Sequence, residues 1–175
     1  MKTIEVKLYK FSELSEDAQQ KAIEKLCDIN VDYDWWESAY EDAENIGLKI
    51  TGFDIGRGRN ATGEFIFGAY EVANKILKEH GKTCETHKTA SQFIKDWDLL
   101  VEKYSDGINK NRVSEDNEYE FDGEADDLEH EFLNSLLEDY AMMLEKDYEY
   151  QTSKEAIIET IEANEYDFTE DGKLY

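Results

Sequence analysis

Apolar and polar residues alternate over residues 2–9, with Ile4, Val6 and Leu8 on one face and Lys2, Glu5 and Lys7 largely outside it. A period of two predicts a half-buried strand. The period then changes. Leu14, Ala18, Ala22 and Leu26 recur every four residues with Ile23 beside them, behind a cap at Ser12 or Ser15 and with Glu16 and Asp17 in the first turn. This predicts an amphipathic helix ending near Asp28. A second helix is expected over 34–46, with Trp36, Ala39, Tyr40, Ala43 and Ile46 inward and Gly47 as its stop.

LKITGFDI (48–55) and GEFIFGAY (63–70) read as two strands joined by GRGRNAT. A third helix is predicted over 70–80, before Gly81. A fourth, over 91–104 and followed by Gly107, turns Phe93, Ile94, Trp97, Leu100, Val101 and Tyr104 inward. A fifth, over 125–146, carries a stripe of Leu128, Phe132, Leu133, Leu136, Leu137, Tyr140, Met143 and Leu144, and is on the order of 30 Å long at 1.5 Å per residue. Thr152 and Glu155 form a capping box before Ile157, Ile158 and Ile161, with Asn164 as the stop. The final EYDFTEDGKLY reads as a hairpin turning at Asp171-Gly172. Together these elements predict an α+β fold, a small antiparallel sheet with about five helices, in a single domain over 1–175. Trp36 and Trp97 are expected in the core; Trp35 lies off the apolar stripe and suits a partner contact better.

Length and composition support a folded chain. The sequence has 175 residues, 40% of them hydrophobic and 13% aromatic. That is richer in Tyr, Trp, Phe, Ile and Leu than an acidic disordered chain. The net charge of −24 changes the functional picture. Phosphates would be repelled, so direct binding to nucleic acid or anionic lipid is disfavoured and a basic protein partner is favoured. No apolar run reaches the roughly 20 residues of a membrane span, and MKTIEVKLYKF lacks a signal-peptide core. Cys27 and Cys84 fit free thiols in a reducing cytoplasm.

The charge is concentrated. In EDNEYEFDGEADD, residues 115–127, eight of thirteen side chains are carboxylates, and no Lys or Arg occurs over 113–145. A solubility face ordinarily mixes signs, because mixing relieves repulsion. The expected partner surface is therefore Glu115, Asp116, Glu118, Glu120, Asp122, Glu124, Asp126 and Asp127, extended by Glu131, Glu138 and Asp139 on the following helix.

Other motifs are weaker. Residues 118–129 approximate a calcium loop, with Glu118, Glu120, Asp122, Gly123 and Glu129 at ligand or turn positions. However, Glu stands where the tight turn needs Asp, and no helix precedes it, so the stretch reads as an acidic strand-to-helix connection. HGKTCETH holds His80, Cys84 and His87 but lacks a fourth zinc ligand, and reads as a helix-to-helix connection. GRGRNATG lacks the Gly-Lys-Ser/Thr ending of a phosphate cradle and precedes a strand. Its Arg57 and Arg59 form a small cationic spot suited to pairing with nearby carboxylates. There is no nucleophile elbow and no His-Glu-x-x-His, so no catalytic residue, metal or cofactor is assigned.

YDWWESAYEDAENIGLKI, HGKTCETHKTA and DYEYQTSKEAIIETIEANEYDFTEDGKLY resemble a widespread family of small acidic proteins from phages and mobile elements. The resemblance runs over nearly the whole chain and is strongest at EANEYDFTEDGKLY. It implies a phage anti-defence protein of the host-cell cytoplasm, an anti-CRISPR that inhibits Cas9 or its guide-RNA complex. The alternative is an antitoxin-like or other binding module, since some relatives are labelled antitoxins. No catalytic motif comes with the resemblance. Cas9 holds nucleic acid in a positively charged channel, where ordered carboxylates could compete with phosphate as a DNA mimic.

Overall fold

The computed structural model describes residues 5–105, 113–114 and 117–175. Among them are six α-helices and two antiparallel sheets of two strands each, an α+β arrangement. The chain divides into two compact units, one formed by Met1–Trp36 with Lys146–Tyr175 and the other by Glu37–Glu145.

In the first unit, β1 (Tyr9–Lys10) pairs with β4 (Asp167–Phe168), Tyr9 opposite Phe168. The longer strand expected over 2–9 is not seen in its described part: residues 5–8 carry no strand, and Val6 is exposed. Alternation alone does not make a strand without a partner edge. A 3-10 turn (Phe11–Glu13) leads to α1 (Glu16–Lys25), whose first turn is capped by Ser15 accepting from the Ala18 N–H. Phe11, Leu14, Ala18, Ala22 and Ile23 pack with Ile157, Ile161 and Phe168 as the core of this unit. The last two of these helical isoleucines belong to α6 (Lys154–Ala163). Its cap is Ser153, not Thr152: the Ser153 hydroxyl accepts from the Ala156 N–H, while the Thr152 hydroxyl donates back to the Tyr148 carbonyl. Asn30 is buried and satisfied, accepting from Thr160 at 2.6 Å and donating to the Gln151 carbonyl at 3.0 Å.

The second unit runs α2 (Glu37–Ile46), β2 (Leu48–Asp54), β3 (Asn60–Phe65), α3 (Ala69–Glu79) and α4 (Glu85–Lys103), then most of α5 (Glu118–Gln151). α2 ends at Gly47, which takes a φ of +92°, the left-handed conformation that costs glycine least. β2 and β3 pair from Leu48–Phe65 to Asp54–Asn60, with an irregularity between Ile50 and Gly52. The core gathers Ile46, Leu48, Val72, Ile76, Phe93, Phe132, Leu136 and Tyr140. Phe93 and Phe132 stack with ring centres 4.2 Å apart.

Two helices begin earlier than the sequence pattern suggested. α4 takes in the last three residues of HGKTCETH, because Thr86 and Ala90 continue the buried line of Phe93 and Leu100, while His80–Cys84 remain the connection from α3. α5 takes in the acidic stretch from Glu118, so that stretch is not a strand-to-helix connection. Phe121, Ala125 and Leu128 repeat at four and three residues and pack against Trp97, Leu100 and Tyr104. Trp36 and Trp97 are half-buried rather than fully enclosed. Trp97 meets Tyr70, Phe93 and Phe121, and Trp35 packs on Trp36 and Tyr148.

Candidate partner-binding surface

The helix α5 decides how the acidic residues are displayed. At 3.6 residues per turn, Phe121, Ala125, Leu128 and Phe132 form the inward stripe, and two acidic rows run along its flanks. Glu118, Asp122 and Asp126 form one. Glu120, Glu124, Asp127, Glu131 and, farther along, Glu138 form the other. All eight of these are exposed. Glu115 and Asp116 lie outside the described residues. Asp139 is half-buried and accepts a hydrogen bond from the Thr89 hydroxyl at 2.7 Å, so it faces α4.

Not every carboxylate is unpaired, although the segment contains no cation of its own. Both Glu124 oxygens accept from Lys103 Nζ at 2.7 Å, and Oε1 also accepts from the Tyr104 hydroxyl at 2.9 Å. The Lys103 hydrogen bonds, and then that of Tyr104, hold the Glu124 carboxyl below its usual range. Arg59 reaches Glu145 at 3.1 Å and Glu138 at 3.5 Å, which is the carboxylate pairing expected of that loop. Burial pushes the Glu129 carboxyl up, with Asp126 adding to it. Burial likewise raises Asp139, against the hydrogen bond from Thr89 that lowers it. Among the described residues, the least compensated charges are therefore Glu118, Glu120, Asp122, Asp127 and Glu131, with Asp126 beside the exposed ring of His130 at 3.6 Å.

No family model matches the chain, and neither a curated protein nor a solved structure is detectably similar to it.

Among the described residues, no group of three or more His, Cys, Asp or Glu is placed to hold an ion. A helix over 118–129 sends Glu118, Glu120, Asp122 and Glu129 to different faces, whereas a calcium loop wraps its ligands around one point. His80 is engaged through Nδ1 with the Thr86 hydroxyl at 2.8 Å, and His87 lies 3.3 Å from Ser91. Cys27 and Cys84 are free and exposed.

One constellation escaped the sequence reading. Thr86, His80 and Asp42 form a hydroxyl–imidazole–carboxylate series, with His80 Nε2 3.6 Å from Asp42 Oδ1. Tyr140 donates to Asp42 Oδ2 at 2.7 Å, and burial holds its phenol far above the usual range. The order has the form of a catalytic triad, but Thr86 is only 2% exposed. A nucleophile that substrate cannot reach does no chemistry. The network ties α2, α3, α4 and α5 through polar groups that would be costly to bury unpaired. Residues far apart in sequence make it, so spacing gave no signal of it.

The α4 side of the acidic helix was also missed. Asp96 and the exposed Leu99 stand beside Asp127, Leu128 and Glu131 along one hollow. An exposed leucine within a helical apolar pattern was the available signal.

Proposed function

We propose that the protein is a phage anti-defence protein, an anti-CRISPR of the host-cell cytoplasm that inhibits Cas9 by offering the acidic rows of α5 to its nucleic-acid channel. The observation that carries the reading is charge held in order. Seven exposed carboxylates from Glu118 to Glu131 stand on about 20 Å of helix, or one per about 3 Å. Duplex DNA carries one charge per about 1.7 Å. A rigid array of comparable density can displace phosphate from a cationic groove, where a disordered acidic tail would first have to be ordered. Recognition is by charge and shape, without catalysis, metal or cofactor. No helix among the described residues is long and apolar enough to cross a membrane, which is compatible with action in the cytoplasm.

The test is a DNA-cleavage assay with the purified protein and Cas9 loaded with guide RNA. The parent should inhibit, and inhibition should fade as salt rises and screens exposed charges. Changing Asp122, Asp126 and Asp127 to Lys should abolish it in a protein that remains folded by circular dichroism. The matched change of Glu37, Glu41 and Glu44 on α2, all exposed, should matter less. Inhibition undiminished in the α5 variant defeats the mimic. A parent with no effect on any nuclease puts the antitoxin-like binding module ahead.

A further inference from the structure

Beside the acidic rows, within the second unit, α4 and α5 line two adjoining open hollows of about 270 and 360 Å³. They share Asp96, Leu128 and Glu131 and so form one groove. Phe93, Leu100, Leu128 and Phe132 give it an apolar floor. Leu99 stands at its edge 64% exposed, within reach of an apolar group laid along the groove. Along α4 the groove runs from Thr89 to Lys103, about 21 Å or four helical turns. Its rim is acidic on both walls: Asp96 on α4, Asp127 and Glu131 on α5. Among the described residues no Lys or Arg pairs with these three, and the one cation at the rim, Lys103, is occupied by Glu124.

We infer that this groove takes a cationic amphipathic helix from a partner protein. Charge complementarity selects that occupant: Lys and Arg on its flanks meet Asp96, Asp127 and Glu131, while its apolar face covers Leu99 and Leu128. An anionic helix would be repelled by the rim, and a purely cationic one would leave the floor and Leu99 in water. Helix-in-groove recognition reads such anchors at positions i, i+3 or i+4, and i+7. The inference rests on α5 being a partner surface and adds the form of what binds there.

Three labelled peptides of 14 residues test it by fluorescence anisotropy. One places Leu at i, i+3, i+7 and i+10 among Lys and Ala, one scrambles that composition, and one is oligolysine. The amphipathic peptide should bind about tenfold tighter than its scramble, as expected for covering one exposed leucine. Leu99→Ser should remove that advantage and leave oligolysine binding unchanged. Asp127→Lys with Glu131→Lys should weaken all three. Melting curves of each variant check that it is folded, and Leu99→Asn serves in place of a Ser variant that is not. Equal binding of peptide and scramble, or indifference to Leu99→Ser, overturns the groove while leaving Cas9 inhibition to its own assay. Concentration-dependent dimerisation lost in Leu99→Ser assigns the groove to a second copy and also overturns the inference. A bound peptide with Cas9 unaffected keeps the groove and rejects that nuclease as the partner.

Discussion

Gly172 occupies a place where a side chain has no room. Its φ is +80°, and a Cβ built there would lie 2.1 Å from the Ala18 carbonyl oxygen. Gly172→Ala should therefore cost about 2 kcal/mol or more, from backbone strain and a clash with backbone that has little freedom to yield. The midpoint of urea unfolding reports it. Gly58→Ala, whose methyl meets nothing within 4 Å, should stay within about 0.5 kcal/mol of the parent. The Asp-Gly pair made the turn legible in the sequence; the approach of Ala18, more than 150 residues away, had no local signature. Asp139 makes a second residue-scale case. Its carboxyl is raised by burial first, with Glu85 and Glu138 adding and Thr89 opposing. A folded carboxyl with a raised pKa retains its proton after the unfolded chain has released one. Its favourable contribution is complete below the unfolded value of about 3.9 and is lost as pH rises through the folded one. Asp139→Asn removes that loss and keeps an oxygen for Thr89. Relative to the parent, the variant should gain stability between about pH 4 and pH 7, measured by urea unfolding at both.

At the scale of elements, α5 is where charge misled the reading. Gly123, the run of acids and the lack of a helical pattern before Glu118 suggested a connection, yet Phe121, Ala125, Leu128 and Phe132 already carried a helical period that joined the stripe beyond. Acids in the first turn also favour a helix start, because they face its positive end. The same holds for α4, where Thr86 and Ala90 extended the line of Phe93 but His80, Cys84 and His87 drew attention as ligands. Gly123 distinguishes helix from connection directly. Gly123→Ala puts a methyl into open space and should stabilise by about 0.5–1 kcal/mol, while Gly123→Pro should cost about 3 kcal/mol. A connection would tolerate the proline. The cap of α6 offers a similar comparison: Ser153→Ala should lose about 1 kcal/mol, and Thr152→Ala less, since its hydroxyl satisfies a carbonyl of the preceding helix. Helix class and count were legible because buried stripes repeat along the chain. Strand pairing was less so: β1 and β4 are two residues each, too short for alternation to mark, and the two sheets are distinguished only by which edges meet.

For the molecule as a whole, a charge of −24 makes salt act in two opposite directions. Screening relieves self-repulsion, so the midpoint of thermal unfolding should rise between about 0.05 and 0.5 M salt. Over the same range partner binding should weaken. A partner held mainly by apolar contact would not show that opposition. The acidic character of the candidate surface was legible from composition, but its arrangement in rows depended on a helix that the charges themselves obscured. The division of the chain has a further consequence, in time rather than in space. The second unit is continuous in sequence, Glu37–Glu145, whereas the first needs segments from both sides of it. During synthesis, Phe11, Leu14 and Ile23 emerge early and wait uncovered until Ile157, Ile161 and Phe168 follow. The second unit has its whole sequence in hand before them, and domains form as units while translation proceeds. Pulsed hydrogen exchange on nascent or refolding chain should find the amides of α3 and α4 protected before those of β1 and β4. The helix proposed to meet a partner would then gain its support from α4 while the ribosome is still adding the residues that shelter the first-made apolar segment.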